Sequence, residues 1–291
     1  MNNRNFLSSH LEEVEIETHT VCNARCIYCA YPAMRKSVGD KRMDWELFEK
    51  VVRELIFAEG TLKRVHLHHV NEPLLDKQVE QRIELLRHLH NDIEVGFSTN
   101  AMLLTPERSK QLINAGLNLA YVTIPSGDPA EYRRIMGVKV DVDRVLDNLE
   151  AFLEQAEGVA RVVLRSPVGF DDRLSAIPQT HPWITVEEMT LMQRLGETKI
   201  SQHESHDQAF KPIPCSLPWI FRSLIIAYNG DIPLCCNDQR HQFIIDSVRE
   251  KSVGEVWNSE RYAAVRRWMC NVERPADFLC NKCEFGNSGI R

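Results

Sequence analysis

Nine cysteines fall into two groups, and they are the residues of this chain best suited to chemistry. Three of them, Cys22, Cys26 and Cys29, share the short segment TVCNARCIYCAYP. No cysteine follows until Cys215. The second group comprises Cys215, Cys235, Cys236, Cys270, Cys280 and Cys283. An odd number of grouped thiols in a chain without a secretion signal indicates metal ligands or catalytic groups before disulfides.

The composition excludes several classes of protein. The chain has 291 residues, a formal charge of −6, 43% hydrophobic and 26% charged residues. This suffices for a large folded domain with a buried core. A net negative charge argues against a dedicated nucleic-acid binder. The N-terminus lacks an apolar signal core, and no apolar run is long enough to span a membrane. We therefore expect a cytoplasmic protein with neither nucleic acid nor membrane as a partner.

Strand and helix patterns alternate through the first two thirds of the chain. Period-two alternation over 14–19 predicts a strand directly before the first cysteines. Further strands are predicted at 64–70, 93–99, 118–124, 160–166 and 181–189. Asp44, Thr105 and Asp141 are typical N-caps of the helices between them. This order predicts an α/β fold with a parallel sheet, either a partial barrel or an open sheet. The first cysteine loop then lies at the carboxyl ends of the strands, where ligands bind.

The Cys-x3-Cys-x2-Cys spacing puts three thiolates on one tight loop. Three thiolates suit an iron–sulfur cluster in which one iron keeps an open site, since fully bound clusters take four cysteines. Structural zinc sites also take four ligands, usually as two pairs. The spacing favours a catalytic cluster and leaves a zinc site or a chance grouping open.

The segment CNARCIYC resembles the signature of the radical S-adenosylmethionine (SAM) enzymes. The resemblance implies that Cys22, Cys26 and Cys29 hold a [4Fe–4S] cluster whose fourth iron binds SAM. It implies that an electron from this cluster cleaves SAM to a 5′-deoxyadenosyl radical, which abstracts hydrogen from a substrate carbon. It also implies a partial (βα)6 barrel, which agrees with the alternation of strands and helices.

Further SAM contacts implied by the resemblance lie at successive predicted strand ends. HHVNEPLL (68–75) resembles the glycine-glycine-glutamate motif, with Glu72 for the SAM amino group and with His69 and Asn71 where glycine is usual. FSTNAMLL (97–104) and VTIPSGDPAEYRRIMG (122–137) resemble the third- and fourth-strand segments. The residues implied to contact SAM are Tyr28, Asn71, Glu72, Ser98, Asn100, Thr123 and Arg165. Taken alone, Glu72-Pro73 is also typical of a helix-entry turn, and Arg165 of a surface arginine.

The C-terminal cysteines surround a predicted hairpin. Asn229-Gly230 is a strong turn signal, and Cys235 leaves the strand that follows it. Ser252 and Glu255 predict a capping box that opens a helix before the final Cys-x2-Cys pair. Cys215 before the hairpin, Cys235 after it and the terminal pair can converge on one metal. Their spacing leaves zinc and iron–sulfur both open.

Residues 213–286 resemble the SPASM extension of radical SAM enzymes, which in its short form holds one auxiliary [4Fe–4S] cluster. The ligands implied are Cys215, Cys235, Cys280 and Cys283. We therefore expect a radical SAM core at 1–195, a bridging segment at 196–214 and a SPASM-like domain at 215–291. The cofactors implied are two [4Fe–4S] clusters and SAM.

Cys236 and Cys270 remain after both clusters have their ligands. A thiol near a substrate radical can donate a hydrogen atom, and the resemblance implies this role because epimerases of the family use a cysteine in that way. Each of the two is therefore a candidate catalytic residue. Each is equally consistent with a small buried residue of the core.

These inferences favour epimerisation or dehydrogenation of a carbinol carbon in a small, sugar-like or aminocyclitol metabolite of natural-product biosynthesis. The family resemblance implies an external one-electron reductant such as flavodoxin or ferredoxin. Few residues precede Cys22, so we do not expect the leader-binding domain of many peptide-modifying relatives. Peptide modification, by thioether formation or residue epimerisation, stays as an alternative. A zinc-binding interaction protein is the alternative from another class.

Overall fold

Seven parallel strands form the main sheet in the computed structural model, which describes residues 10–189, 215 and 221–283. The strand order is β6-β5-β4-β3-β2-β1-β7. The first six strands are β1 (Glu13–Ile16), β2 (Arg64–His66), β3 (Glu94–Thr99), β4 (Leu119–Thr123), β5 (Arg161–Ser166) and β6 (Thr185–Glu188). The seventh, β7 (Ser223–Ile226), comes from the C-terminal part and pairs in parallel with β1. The expected α/β partial barrel is confirmed, with one strand added by the extension.

Helices between the strands cover the sheet and share one apolar core with it. They are α1 (Tyr31–Val38), α2 (Trp45–Glu54), α3 (Val79–Leu89), α4 (Pro106–Asn114), α5 (Pro129–Met136), α6 (Val142–Ala156) and α7 (Asp172–Thr180). A short 3-10 turn at Leu55–Ala58 follows α2, and another at Pro73–Leu75 follows β2. The three predicted N-caps are confirmed, because Asp44, Thr105 and Asp141 each accept a hydrogen bond from the first turn of their helix.

The two faces of the sheet differ in polarity. Val14 and Ile16 are fully buried against the helices. Alternation places Glu13, Glu15 and Glu17 on the opposite face, inside the partial barrel. The strands also approach closely, because a Cβ at Gly96 would lie 2.1 Å from the Leu119 carbonyl oxygen. The interior face of the barrel therefore carries acidic side chains at β1, where apolar side chains are usual.

The C-terminal extension is anchored on the sheet and on α2. The turn predicted at Asn229-Gly230 is present, and the Ala227 N–H donates to the Asp231 carbonyl at 2.9 Å. It joins β7 to β8 (Asp231–Pro233), however, and the antiparallel pair of the extension is β8 with β9 (Ile244–Ser247). The predicted hairpin of β7 with β8 does not form, because all four residues of β7 pair with the open edge of β1.

Two helices and a 3-10 turn complete the extension: α8 (Val253–Trp257), α9 (Glu260–Met269) and the turn Leu279–Lys282. The capping box of Ser252 and Glu255 is confirmed at the start of α8. Ser259 caps α9 and so divides the single predicted helix into two. Lys50 of α2 donates to the carbonyls of Val248 and Lys251, both at 2.8 Å. Within the described part of the chain, no helix has the length and apolar character needed to cross a bilayer.

Candidate functional site

The loop of Cys22, Cys26 and Cys29 follows β1 at the carboxyl edge of the sheet. The end of α5 holds it, since the Arg25 N–H donates to the Met136 carbonyl at 2.9 Å and the Ile27 N–H to the Ile135 carbonyl at 3.0 Å. Gly137 ends α5 with φ 62°, and a Cβ there would lie 2.8 Å from the Arg25 carbonyl oxygen. A residue without a side chain lets α5 approach the loop this closely.

The three thiols of this loop are half-buried and act electrostatically on one another. Burial raises the pKa of Cys22, and it raises the pKa of Cys26 to about 12. The neighbouring thiols raise both values further, because adjacent thiolates repel. Three thiolates here therefore need a compensating cation, as metal binding provides. The donor set fits an iron–sulfur cluster.

Glu72 is a buried carboxylate beside this loop. Its N–H donates to the Val21 carbonyl at 2.9 Å. Its side chain accepts hydrogen bonds from the Thr99 hydroxyl at 2.7 Å and from the Asn100 N–H at 2.9 Å. Burial raises the pKa of Glu72 to about 7, even though these hydrogen bonds lower it. A cationic ligand group such as an ammonium would favour its ionised form.

The two predicted asparagines differ in what they offer a ligand. Asn71 accepts from the His69 N–H at 2.9 Å, and its Nδ2 is buried without a hydrogen-bond partner among the described residues. Asn100 donates to Asn23 of the cysteine loop at 2.7 Å and accepts from the Met102 N–H at 3.1 Å. Asn71 thus retains a donor, whereas the Asn100 side chain positions the cysteine loop.

The remaining predicted SAM contacts lie at neighbouring strand ends. Ser98 and Thr123 are half-buried in β3 and β4. The Arg165 guanidinium lies 3.7 Å from the centroid of the Tyr121 ring and pairs with Glu187 at 3.0 Å. Tyr28 directs its hydroxyl at Met136 Sδ, 3.9 Å away. Arg165 therefore has a carboxylate partner within the protein.

The four predicted auxiliary ligands act electrostatically on one another in the extension. The Cys280 pKa is raised to about 12 by burial first and then by Cys283 and Cys215. Burial also raises the pKa of Cys235, with Cys236, Cys280 and Cys283 adding to the effect. Asn237 donates to Cys283 Sγ at 3.4 Å. Such mutual repulsion between neighbouring thiols again fits a bound metal cluster, whose iron ions compensate the thiolate charge.

The described residues hold no group of three His, Cys, Asp or Glu side chains placed to hold a single metal ion.

The two remaining thiols lie in different surroundings. Cys236 adjoins Cys235 and starts the loop that runs to Phe243. In this loop Gln239 accepts a 3.4 Å hydrogen bond from the Ala30 N–H, next to Cys29. Cys270 caps the end of α9, next to Met269, whose carbonyl accepts from the Cys215 N–H at 2.8 Å. The loop of Cys236 thus reaches the first cysteine site, whereas Cys270 adjoins an auxiliary ligand.

Sequence reasoning did not single out Glu17 or His241. Their side chains come within 3.9 Å of each other, inside the barrel. A signal for Glu17 was present, because acidic residues alternate with buried apolar ones along β1. His241 carried no such signal, since its neighbours Glu17 and His69 follow β1 and β2, far from it in the sequence.

The comparisons with known proteins decide the family. The family model described as the Radical SAM superfamily matches residues 16–174, over half of the chain. This chain belongs to the radical SAM superfamily. The model described as an iron–sulfur cluster-binding domain, SPASM, matches residues 215–284. The chain is therefore a radical SAM enzyme with a SPASM domain, and its family implies SAM, a [4Fe–4S] cluster and auxiliary iron–sulfur binding.

Curated relatives match different shares of the chain. GTP 3′,8-cyclase of Xanthomonas campestris is 29% identical over 151 residues, which are 50% of this chain and 43% of that protein. This chain thus spans less than half the length of that relative. The tungsten-containing aldehyde ferredoxin oxidoreductase cofactor-modifying protein of Pyrococcus furiosus is 29% identical over 93% of this chain and 88% of its own length.

Solved structures share the fold. BtrN in complex with AdoMet and 2-DOIA has a TM-score of 0.61 and 17% identity, and the match covers 94% of this chain and 92% of BtrN. Streptococcus suis SuiB bound to precursor peptide SuiA has a TM-score of 0.64 and 16% identity, over 89% of this chain and 67% of SuiB. At these identities the similarity establishes the fold.

Proposed function

We propose that this radical SAM enzyme removes a hydrogen atom from a carbinol carbon of a small, sugar-like or aminocyclitol metabolite, giving a ketone or an epimer. When bound, the first cluster supplies the electron that splits SAM into the radical that takes this hydrogen atom. The observation that carries the proposal is the loop from Cys236 to Phe243. Its Gln239 side chain accepts a hydrogen bond from the Ala30 N–H at 3.4 Å, so this loop of the extension, which begins at Cys236, reaches the barrel edge beside Cys29. The full-length fold similarity to BtrN with AdoMet and 2-DOIA supports the same class of substrate.

In this proposal, the chain's own residues hold and orient the reactants. Cys22, Cys26 and Cys29 hold the SAM-binding cluster. Glu72 binds the SAM ammonium, and the buried Asn71 Nδ2 donates to a SAM oxygen. The further SAM contacts are Tyr28, Ser98, Thr123 and Arg165, whereas Asn100 positions the cysteine loop. The auxiliary cluster is held by Cys215, Cys235, Cys280 and Cys283.

The outcome depends on what the substrate radical meets next. In epimerisation a thiol gives it one hydrogen atom, and an external electron and a proton must then restore that thiol. In dehydrogenation the substrate radical loses one electron to an acceptor and one proton to a base. Of the two thiols, we assign the donor role to Cys236, because its loop contacts the first cysteine site.

Deuterium transfer tests this function. Reconstituted enzyme with SAM and a reductant is incubated with aminocyclitols and amino sugars deuterated at the carbinol carbon. We expect deuterium in 5′-deoxyadenosine. A ketone product establishes dehydrogenation, whereas an inverted centre that takes up hydrogen from solvent establishes epimerisation. Cys236→Ala should abolish epimerisation, with Cys270→Ala as the matched control. If Cys236→Ala retains full epimerisation, the assignment of Cys236 fails.

A peptide substrate is the second candidate, and the fold similarity to SuiB bound to a precursor peptide favours it. The same assay distinguishes the two. Deuterium transfer from a labelled peptide, but from no small ring, would replace the first proposal.

We also propose the surface that receives the external electron donor. A cleft of about 520 Å³ beside the first cysteine loop is lined by Cys22 and by exposed cations, among them Arg25, Lys139 and Arg144. Such a surface would attract an acidic one-electron carrier protein such as flavodoxin or ferredoxin and keep it near the cluster.

A further inference from the structure

Glu17 is a fully buried carboxylate of the barrel interior. Its side chain is fully inaccessible, and neither carboxylate oxygen has a hydrogen-bond partner among the described residues. Burial raises the pKa of Glu17; the charge on His69 and the amides of Val70 and Tyr228 lower it in part, although these amides do not reach hydrogen-bond geometry. An unsatisfied buried carboxylate is costly to folding, so it indicates a missing partner.

Two histidines adjoin this carboxylate and also have unused ring nitrogens. His241 Nε2 lies 3.9 Å from Glu17 Oε2, beyond hydrogen-bond distance. The His69 ring stacks on the His241 ring at a centroid distance of 5.5 Å. Each Nε2 is buried without a partner among the described residues. The cluster therefore has four buried polar atoms without partners among the described residues, on three side chains that adjoin one another.

The fold is built to present these groups. The Glu17 N–H donates to the Ile226 carbonyl of β7 at 2.9 Å, which fixes the strand end. His241 has a left-handed φ of 54°, a strained conformation for a residue with a side chain. The Asp238 carboxylate stabilises this turn by accepting from the N–H groups of Gln242 at 2.7 Å and Phe243 at 2.9 Å.

The charges in this region favour a cationic ligand. Glu15, Glu17 and Asp238 are the carboxylates whose charges act on His69. Burial lowers the pKa of His69, but the Glu15 hydrogen bond and these carboxylates outweigh it and raise the pKa. Burial lowers the pKa of His241 to about 3, so that ring is neutral. Burial raises the pKa values of Glu17 and Asp238, and a cation bound beside them would favour their ionised forms.

We propose that Glu17 binds the protonated amine of an amine-bearing polyol substrate, and that the Nε2 atoms of His69 and His241 bind hydroxyl groups on the adjacent carbons. The inference rests on the proposed function, which supplies the small polar ring. Glu17 then acts as the specificity-determining residue that distinguishes an amine from a hydroxyl group. The ligand satisfies the four polar atoms that the protein leaves without partners.

Calorimetry on the reconstituted holoenzyme with SAM tests this inference without turnover. The probes are scyllo-inosamine and scyllo-inositol, which differ by one amine in place of one hydroxyl group. We expect scyllo-inosamine to bind about tenfold more tightly or better. Glu17→Gln should remove that preference, whereas Glu13→Gln, on the same face of β1 beside Arg64, should retain it. The proposal is overturned by equal affinity for the two rings, by binding of neither, or by a preference that survives Glu17→Gln.

A second variant keeps the test decisive if Glu17→Gln does not fold. His241→Phe preserves a ring against His69 but removes Nε2. We expect it to weaken both probes by about tenfold and to keep the amine preference, because one hydrogen bond is lost and Glu17 remains. Unchanged affinities would contradict the assignment. If calorimetry shows the amine preference but the enzyme forms no 5′-deoxyadenosine with these substrates, the proposed function is contradicted and this inference is retained.

Discussion

The two cysteine groups are positioned by different means. The first comes from one loop, which hydrogen-bonds to α5 and to Asn100 at the edge of a formed sheet. The auxiliary set comes from three separate segments, namely those of Cys215, of Cys235, and of the pair Cys280 and Cys283, of which Cys280 is buried. We therefore expect the loop of the first site to keep its conformation when its metal is removed. The second set lies where a short 3-10 turn and loops meet, so its metal should itself stabilise the extension.

The largest expected effect is on activity at the first site. Cys26→Ala should lower formation of 5′-deoxyadenosine by about a thousandfold or more, because the loop offers no replacement ligand. Iron should fall from about eight to about four atoms per chain. Iron counting and circular dichroism check this prediction. An unfolded extension in this variant would contradict the proposed independence of the two sites.

The next effect is on stability at the auxiliary site. Cys280→Ser should lower the free energy of unfolding by about 3 kcal/mol, since the extension loses the metal that joins its segments. Cys270→Ser is the control and should cost less than about 1 kcal/mol. Anaerobic denaturation with urea measures both. Equal losses in the two variants would argue that the auxiliary metal has no structural role.

A smaller effect concerns the buried carboxylate beside the first loop. The pKa of Glu72 is raised to about 7 by burial, so binding of the SAM ammonium requires loss of a proton below that pH. SAM affinity should fall by up to about tenfold per pH unit as the pH drops from 7 to 6. Glu72→Gln should bind SAM weakly at both pH values and lose this dependence. A pH-independent affinity in the unaltered protein would argue against contact between Glu72 and the ammonium.

The smallest effect is on electron delivery to the first site. Lys139→Glu combined with Arg144→Glu should slow reduction by flavodoxin by about three- to tenfold, more at low salt. Reduction by dithionite should stay unchanged, because a small reductant does not need the basic surface. Arg53→Glu, an exposed charge change outside the cleft, is the control. Equal slowing with both reductants would mean that the cluster, not docking, was affected.

Local signals account for what the sequence predicted. Short apolar runs located β1 to β6, and Asp44, Thr105 and Asp141 marked helix starts because each caps its own first turn. The helices α1, α5 and α7 were missed, although Pro129 follows the capping Asp128 of α5 in a favourable first-turn position. They have eight or nine residues each, too few for a clear apolar period.

Contacts between distant segments account for what the sequence could not predict. The strand after Asn229-Gly230 pairs with β9 because the edge of β1 engages β7. The pairing of Arg165 with Glu187 depends on the register of β5 and β6. The surroundings of Glu17 need His241 from the extension. None of these can be read from a short window of residues.

The position of β7 has a consequence for biogenesis. β1 is among the first segments made, and its partner on one side is made only after most of the chain has left the ribosome. Until then β1 is an edge strand, with unpaired backbone groups next to the cysteine loop. Pairing across so long a separation is slow and exposes the nascent chain to aggregation. Expression of residues 1–195 alone should therefore yield aggregated protein, because the extension supplies the strand that covers the edge of β1.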